Sequence, residues 1–148
     1  MVIAASTCFH EEDGVGASEP SGRGASSGEE SVLLGNYQMT LDGCALRYRS
    51  EDQSGTLELA LPDPCSFSLN SEGGVRIVET QQGRVIAVES SRAAKLPGGR
   101  CDTRIRAIVL AGKALRLSAR TQRVAQCLPA VWDELMFHAF AAETLAAP

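Results

Sequence analysis

The chain has 148 residues, enough for one domain with a core that is stable on its own. Hydrophobic residues make up 44% and charged residues 22%, and no apolar run approaches the roughly 18 residues that span a bilayer, so the composition is that of a globular chain without a spanning helix. The net charge of -4 is unevenly divided: residues 1–31 carry six acids and one base, whereas residues 32–148 carry twelve acids and thirteen bases. The near-neutral body, lacking aromatics interleaved with its bases, excludes a nucleic-acid binder.

Residues 1–31 read as a disordered acidic tether. From Glu11 to Ser31 the chain is mostly Gly, Ser, Ala and Glu and has almost nothing to bury, so it cannot offset its ordering entropy. Its root-mean-square reach is roughly 5 Å times the square root of its length. The first eight residues, Met1-Val2-Ile3-Ala4-Ala5-Ser6-Thr7-Cys8, resemble the end of a bacterial lipoprotein signal. There, small residues precede a Cys that becomes lipidated and N-terminal in the mature protein. The resemblance makes Cys8 a lipidation candidate and the one route by which this chain would meet a membrane. It departs from the usual pattern at Thr7, where Gly, Ala or Ser is common, and at Ala5, where Leu is common. Neither a basic start nor a long apolar stretch precedes them.

Residues 32–148 read as a single disulfide-bonded β-rich domain. Its cysteines are Cys44, Cys65, Cys101 and Cys127, an even number with no CxxC pair and no nearby His, which excludes the usual metal-site spacings. Two disulfides are the simplest count, and they place the domain in an oxidising compartment. The competing reading is four buried free thiols in the cytosol. Four cysteines allow three connectivities; the expected one is Cys101–Cys127 and, by elimination, Cys44–Cys65.

Strict apolar alternation recurs at short intervals, the mark of half-buried strands. Met39 and Leu41 begin it, Leu46 and Tyr48 follow, and Leu57, Leu59 and Leu61 come next, after the turn-rich loop Ser50–Gly55. A hairpin pairing Arg49 with Thr56 sets Tyr48 against Leu57 and Leu46 against Leu59, so the apolar phases agree. Pro62 and Pro64 end that run. Phe67 and Leu69 mark another strand. Were it to lie beside those near 46 and 59, Cys44 and Cys65 would be two strands apart, roughly 9–10 Å and too far for a disulfide, unless the Pro62–Pro64 turn carries Cys65 back over the sheet. Val75, Ile77 and Val78 then pair with Val85–Val88 across Thr80–Gly83, and apolarity on both faces marks a central strand covered on both sides.

The last hairpin is expected to turn through Ala111-Gly112-Lys113, setting Val109 against Leu115, Ala107 against Leu117, Arg106 against Ser118 and Arg104 against Arg120. Between Cys101 and Cys127 six bases face one acid, Asp102. Arg104, Arg106, Arg116 and Arg120 are therefore the candidates for a basic patch that receives an acidic partner or the chain's own tail; the plainer reading is a solvated strand face. A helix is expected over 129–142, opened by Pro129 and favoured by Asp133 and Glu134. Its apolar stripe would be Val131, Trp132, Leu135, Met136, Ala139 and Phe140, packed on the sheet.

The fold expected is mainly β, an antiparallel meander or small sandwich or barrel of about seven to eight strands with one C-terminal helix packed on it. No catalytic, cofactor or metal motif stands out: there is no HExxH, GxSxG, phosphate loop or GxGxxG, and Glu134 with His138 reads as a surface pair. The acids of the Ser50–Gly55 loop lack EF-hand order. Tail Cys, polar tether and small disulfide-bonded β-domain together look like the general run of bacterial envelope lipoproteins, which include small inhibitors of cell-wall hydrolases and immunity proteins against delivered toxins. That resemblance of outline implies a non-enzymatic binding protein in the periplasm or on the outer membrane, or else secreted, with a protein partner. A structural envelope adapter and an enzyme with an unrecognised site are the alternatives.

Overall fold

The computed structural model describes residues 30–93 and 98–146. The elements are β1 (Glu30–Leu34), β2 (Tyr37–Asp42), β3 (Ala45–Arg49), β4 (Ser54–Glu58), β5 (Cys65–Phe67), β6 (Val78–Glu79), β7 (Arg84–Ala93), β8 (Cys101–Ala111), β9 (Ala114–Leu117), β10 (Gln122–Val124) and α1 (Glu134–Ala146). Two antiparallel sheets form a small sandwich: a four-stranded sheet ordered β1-β2-β3-β4, and a six-stranded one built on β10-β8-β7-β5, with β6 added to β7 and β9 to β8. The mainly β expectation holds, as an open sandwich rather than a barrel. Glu30 and Ser31, assigned from sequence to the tether, belong to β1. The remainder of the expected tether, with Cys8, lies outside the described residues.

Strands β7 and β8 form the centre. Their ladder runs from Arg84 opposite Leu110 to Ala93 opposite Cys101. Ile86, Val88, Ile108 and Leu110 point into the core between the sheets, where they meet Leu34, Met39, Leu46 and Phe67. Val85, Ala87, Ile105, Ala107 and Val109 point the other way, under Trp132 and the helix residues Phe137, Phe140 and Ala141. The two-sided apolarity read at 85–88 is thus matched by cover on both faces.

Several registers differ from the sequence reading. In the β3–β4 hairpin Arg49 faces Ser54 and Leu46 faces Leu57, two residues from the expected pairing but in the same phase. Tyr48 lies opposite Gly55, and a Cβ on that glycine would sit 2.5 Å from the tyrosine hydroxyl, so the ring rests where a side chain would be. The β4 ladder ends at Glu58, yet Leu59 and Leu61 remain in the core as the chain crosses to the second sheet. Phe67 therefore lies in β5, paired to β7, and Leu69 makes only an isolated bridge to Val75. Because β5 is in the other sheet, the distance objection to Cys44–Cys65 falls away: that disulfide joins the β2–β3 turn to β5 with Cα atoms 5.2 Å apart, and Cys101–Cys127 spans 5.0 Å.

The last hairpin turns through two residues, Gly112 and Lys113, not three, so Val109 faces Arg116 and Leu110 faces Leu115. Gly112 has φ +61°, and a Gly at the first central position is what a two-residue type II′ turn selects. The one-residue slip turns Leu115 and Leu117 toward the inter-sheet core. Arg104 then faces Arg123 in β10, not Arg120. The helix begins at Glu134, not Pro129, with the Asp133 carboxylate accepting the Leu135 N–H at 2.8 Å as its cap. Its buried face is Phe137, Phe140, Ala141 and Thr144, at i, i+3, i+4 and i+7, while Val131 and Leu135 of the expected stripe are exposed.

The two disulfides close loops with sequence separations of 21 and 26 residues. Removing the inter-sheet bridge with Cys44→Ala/Cys65→Ala is expected to cost about 3 kcal/mol on the loop-entropy relation, read as a lower denaturant midpoint with a steeper slope, because the released unfolded chain is less compact.

Candidate functional site

The four arginines proposed from sequence do not share a surface. Arg104 and Arg106 lie on the face of β8 that looks toward the first sheet, as the alternation with Ile105 and Ala107 requires. Arg106 reaches inward: its Nε donates to the Ser118 carbonyl at 2.9 Å and its Nη1 to the Leu59 carbonyl at 2.7 Å, tying the two sheets together, and burial lowers its pKa. Arg104 pairs with Asp102 at 3.5 Å. Asp102 also takes Arg123 in a two-pronged contact of 2.7 and 3.2 Å, and that guanidinium holds its carboxyl below the usual range. Arg116, opposite Val109, points to the helix side, as does Arg120, which pairs with Glu143 of α1 at 3.0 Å. The cationic run is thus divided between opposite faces of one sheet, and three of its four members have partners.

Nor do the sequence's other polar groups converge. His138 stands 3.5 Å from Glu134 on the exposed side of α1. Among the described residues no group of three or more His, Cys, Asp or Glu is placed to hold a metal, and no helix is long and apolar enough to cross a membrane. The two disulfides suggest an oxidising compartment outside the cytosol.

One titratable group that sequence reasoning passed over is buried. Glu89 on β7 is 4% exposed and accepts the Trp132 indole N–H at 2.6 Å, with the Ser68 hydroxyl beside it. Burial raises its pKa. The Trp132 bond and the nearby Ser68 hydroxyl oppose the rise, and the negative charge of Glu30 adds to it. Arg76 donates to the Trp132 carbonyl at 2.6 Å and stacks 5.0 Å over the Phe137 ring, so Trp132 is held at both its indole and its backbone. These contacts fix the strap that leads from Cys127 into α1. They form no cleft, and their role is architectural.

The concave site lies at one end of the sandwich. Four turns meet there: Gly35-Asn36 between β1 and β2, Ser50–Gln53 between β3 and β4, Thr80–Gly83 between β6 and β7, and Gly112-Lys113 between β8 and β9. They enclose a cleft of about 550 Å³, a size typical of ligand pockets. The buried Tyr37 hydroxyl donates to the Lys113 carbonyl at 2.7 Å, with the Gln53 side chain 3.2 Å away, so one residue packs between two turns. Gly83 lets the β6–β7 turn press against β8: a Cβ there would lie 2.1 Å from the Leu110 carbonyl oxygen. The Ser50–Gln53 turn is closed by the Ser50 N–H to the Gln53 carbonyl at 2.7 Å, while the Ser50 hydroxyl accepts from the Asp52 and Gln53 N–H groups. The only sequence signal for this cleft was turn chemistry, which marks where loops are but not which loops meet.

Comparison with protein families, curated proteins and solved structures found no match to this chain.

Glu89 gives a pH-dependent prediction. Because burial raises its folded-state pKa, its contribution to stability is full below the ordinary carboxyl range and is lost as pH rises through the raised value. Glu89→Gln keeps an acceptor for the Trp132 indole and removes the buried charge. At pH 8 the variant is expected to melt roughly 2–5 °C above the parent, with the gap narrowing toward pH 4 in a calorimetric series. Asp102, whose shift has the opposite sign, is common to both proteins and cancels in the difference.

Proposed function

We propose that this domain is a non-enzymatic binding protein of the bacterial envelope, an inhibitor or immunity protein that blocks one enzyme by presenting its four-turn end. The observation that carries the reading is polarity along the sandwich. The cleft opens at the end where β7 begins, at Arg84. At the opposite end, β1 starts at Glu30 opposite Leu41, close to the Cys44–Cys65 bridge. The N-terminal segment therefore joins the domain at the end away from the cleft. A chain anchored through Cys8 would then attach on the side away from the cleft and leave the cleft unobstructed, in the periplasm or at the outer membrane. Loops carried on a rigid antiparallel frame are a common way to present a recognition surface. Two cross-links limit what must be ordered on binding.

The test is capture from an envelope extract with the full chain, followed by an activity assay on what is captured. The reading expects one hydrolase or toxin, retained in a 1:1 ratio and inhibited. Reversing the cleft charges with Glu51→Lys/Asp52→Lys/Lys113→Glu is expected to weaken capture at least about ten-fold, the equivalent of losing one good ionic contact. Arg116→Glu, on the outer strand face, leaves it unchanged. Loss of capture with Arg116→Glu alone would move recognition to the β8–β9 hairpin, and capture of several unrelated proteins without inhibition would favour a structural adapter.

A further inference from the structure

We infer that the cleft takes a bipolar peptide segment, one with a basic side chain near an acidic one; this rests on the four-turn end being the recognition surface. Two of the charges in the cleft are already neutralised. Arg84 and Glu79 line the cleft but pair with each other at 2.7 Å, so they cancel. Glu51 and Asp52, on the β3–β4 turn, form no ion pair with a described residue, nor does Lys113 on the β8–β9 turn. One wall of the cleft is thus anionic and another cationic. No ion pair joins Lys113 to Glu51 or Asp52, and the turns that carry them are fixed underneath. The Tyr37 hydroxyl, 2.7 Å from the Lys113 carbonyl, holds that backbone with the Gln53 side chain beside it, and the Ser50 hydroxyl locks the acidic turn internally.

Opposite charges kept apart on rigid supports around a concave surface are complementary to a ligand carrying the same two charges in reverse order. A purely acidic segment would satisfy Lys113 but meet Glu51 and Asp52, and a purely basic one would meet Lys113; like-charge contacts of this kind are what excludes wrong partners. The amides of Asn36 and Gln53, also in the cleft lining, can serve the peptide's own backbone groups.

The experiment is an amide-resolved NMR titration of the full chain at low salt with three capped pentapeptides: one with a lysine and an aspartate at opposite ends, one with two lysines, and one with two aspartates. The bipolar peptide is expected to shift the signals of Asn36, Asp52, Gln53 and Lys113 saturably, with a Kd at least about five-fold below either single-sign peptide. Lys113→Glu, in an exposed turn, leaves only acids unpaired in the cleft and is expected to move the preference to the two-lysine peptide; Lys113→Gln is the substitute should that variant unfold, and is expected to abolish the preference for the bipolar peptide over the two-lysine one. Equal binding of all three peptides, an order unchanged by Lys113 substitution, or no movement of cleft signals at 10 mM, a weak-binding limit of about 3 kcal/mol, overturns the inference. Failure here together with a capture step that still depends on the cleft charges would reject the bipolar ligand and keep the recognition surface. A capture step indifferent to those charges would reject the surface itself.

Discussion

Everything in this domain hangs on the β7–β8 ladder, because each of those strands is apolar on both faces. An antiparallel sheet can leave one face to water, but Val85-Ile86-Ala87-Val88 and Ala107-Ile108-Val109-Leu110 have no polar side to give it. The first sheet must therefore cover one face and α1 the other. Both cores contain residues from the same two strands, with odd-numbered positions under the helix and even-numbered ones between the sheets. The short strands β5, β6, β9 and β10 then lie along the outer edges of this pair and leave less of its backbone open.

Where the ladder stops being apolar, it becomes the fixing point for the chain's two irregular crossings. Ser90, on the face toward the first sheet, donates through its hydroxyl to the carbonyl of Pro62 in the crossing from β4 to β5. On the opposite face Glu89 holds Trp132, and Thr103 donates to the Gln126 carbonyl at 2.6 Å while sharing a hydrogen bond with Ser91. Buried polar groups of this kind add little net stability when satisfied but cost heavily when not. They select one placement for segments whose own sequence specifies none. Glu89 is the member without a cation, which is why its burial works against its ionised form.

The parts of this fold that could be read from sequence are those where one local rule decided the outcome. Two-sided apolarity at 85–88 marked the centre, and the even cysteine count marked two bridges. The β8–β9 turn was misread by one residue because Ala111-Gly112-Lys113 fits a three-residue loop as easily as Gly112-Lys113 fits a two-residue one. Yet Gly35-Asn36 and Gly43-Cys44 form the same two-residue, Gly-first hairpin, with φ +59° at each glycine. That repeated pattern was the available signal. The helix face was misjudged for a different reason. Trp132 lies on the strap before α1, and counting helical spacing from it rotates the stripe off Phe137 and Ala141. The cleft had no local signature at all, since its walls come from turns spread between Gly35 and Lys113 and meet only after both sheets have formed.

The placement of the cross-links gives the cleft its physical meaning. Cys44–Cys65 and Cys101–Cys127 both lie at the end of the sandwich where β7 finishes, with Cys65 opposite Ser90 and Cys101 opposite Ala93. Neither bridge touches the four-turn end. The covalent constraint and the open charges are thus segregated to opposite poles. Fixing one pole reduces the freedom of strands that run the length of the molecule, and the turns at the other pole inherit that order without a bridge of their own. What remains at that pole is short turns whose conformations are set by glycine and by side-chain hydrogen bonds. A surface of this kind would bind with little further ordering, and under the proposed reading its selectivity would come from where Lys113 stands relative to Glu51 and Asp52, not from loop closure around the partner.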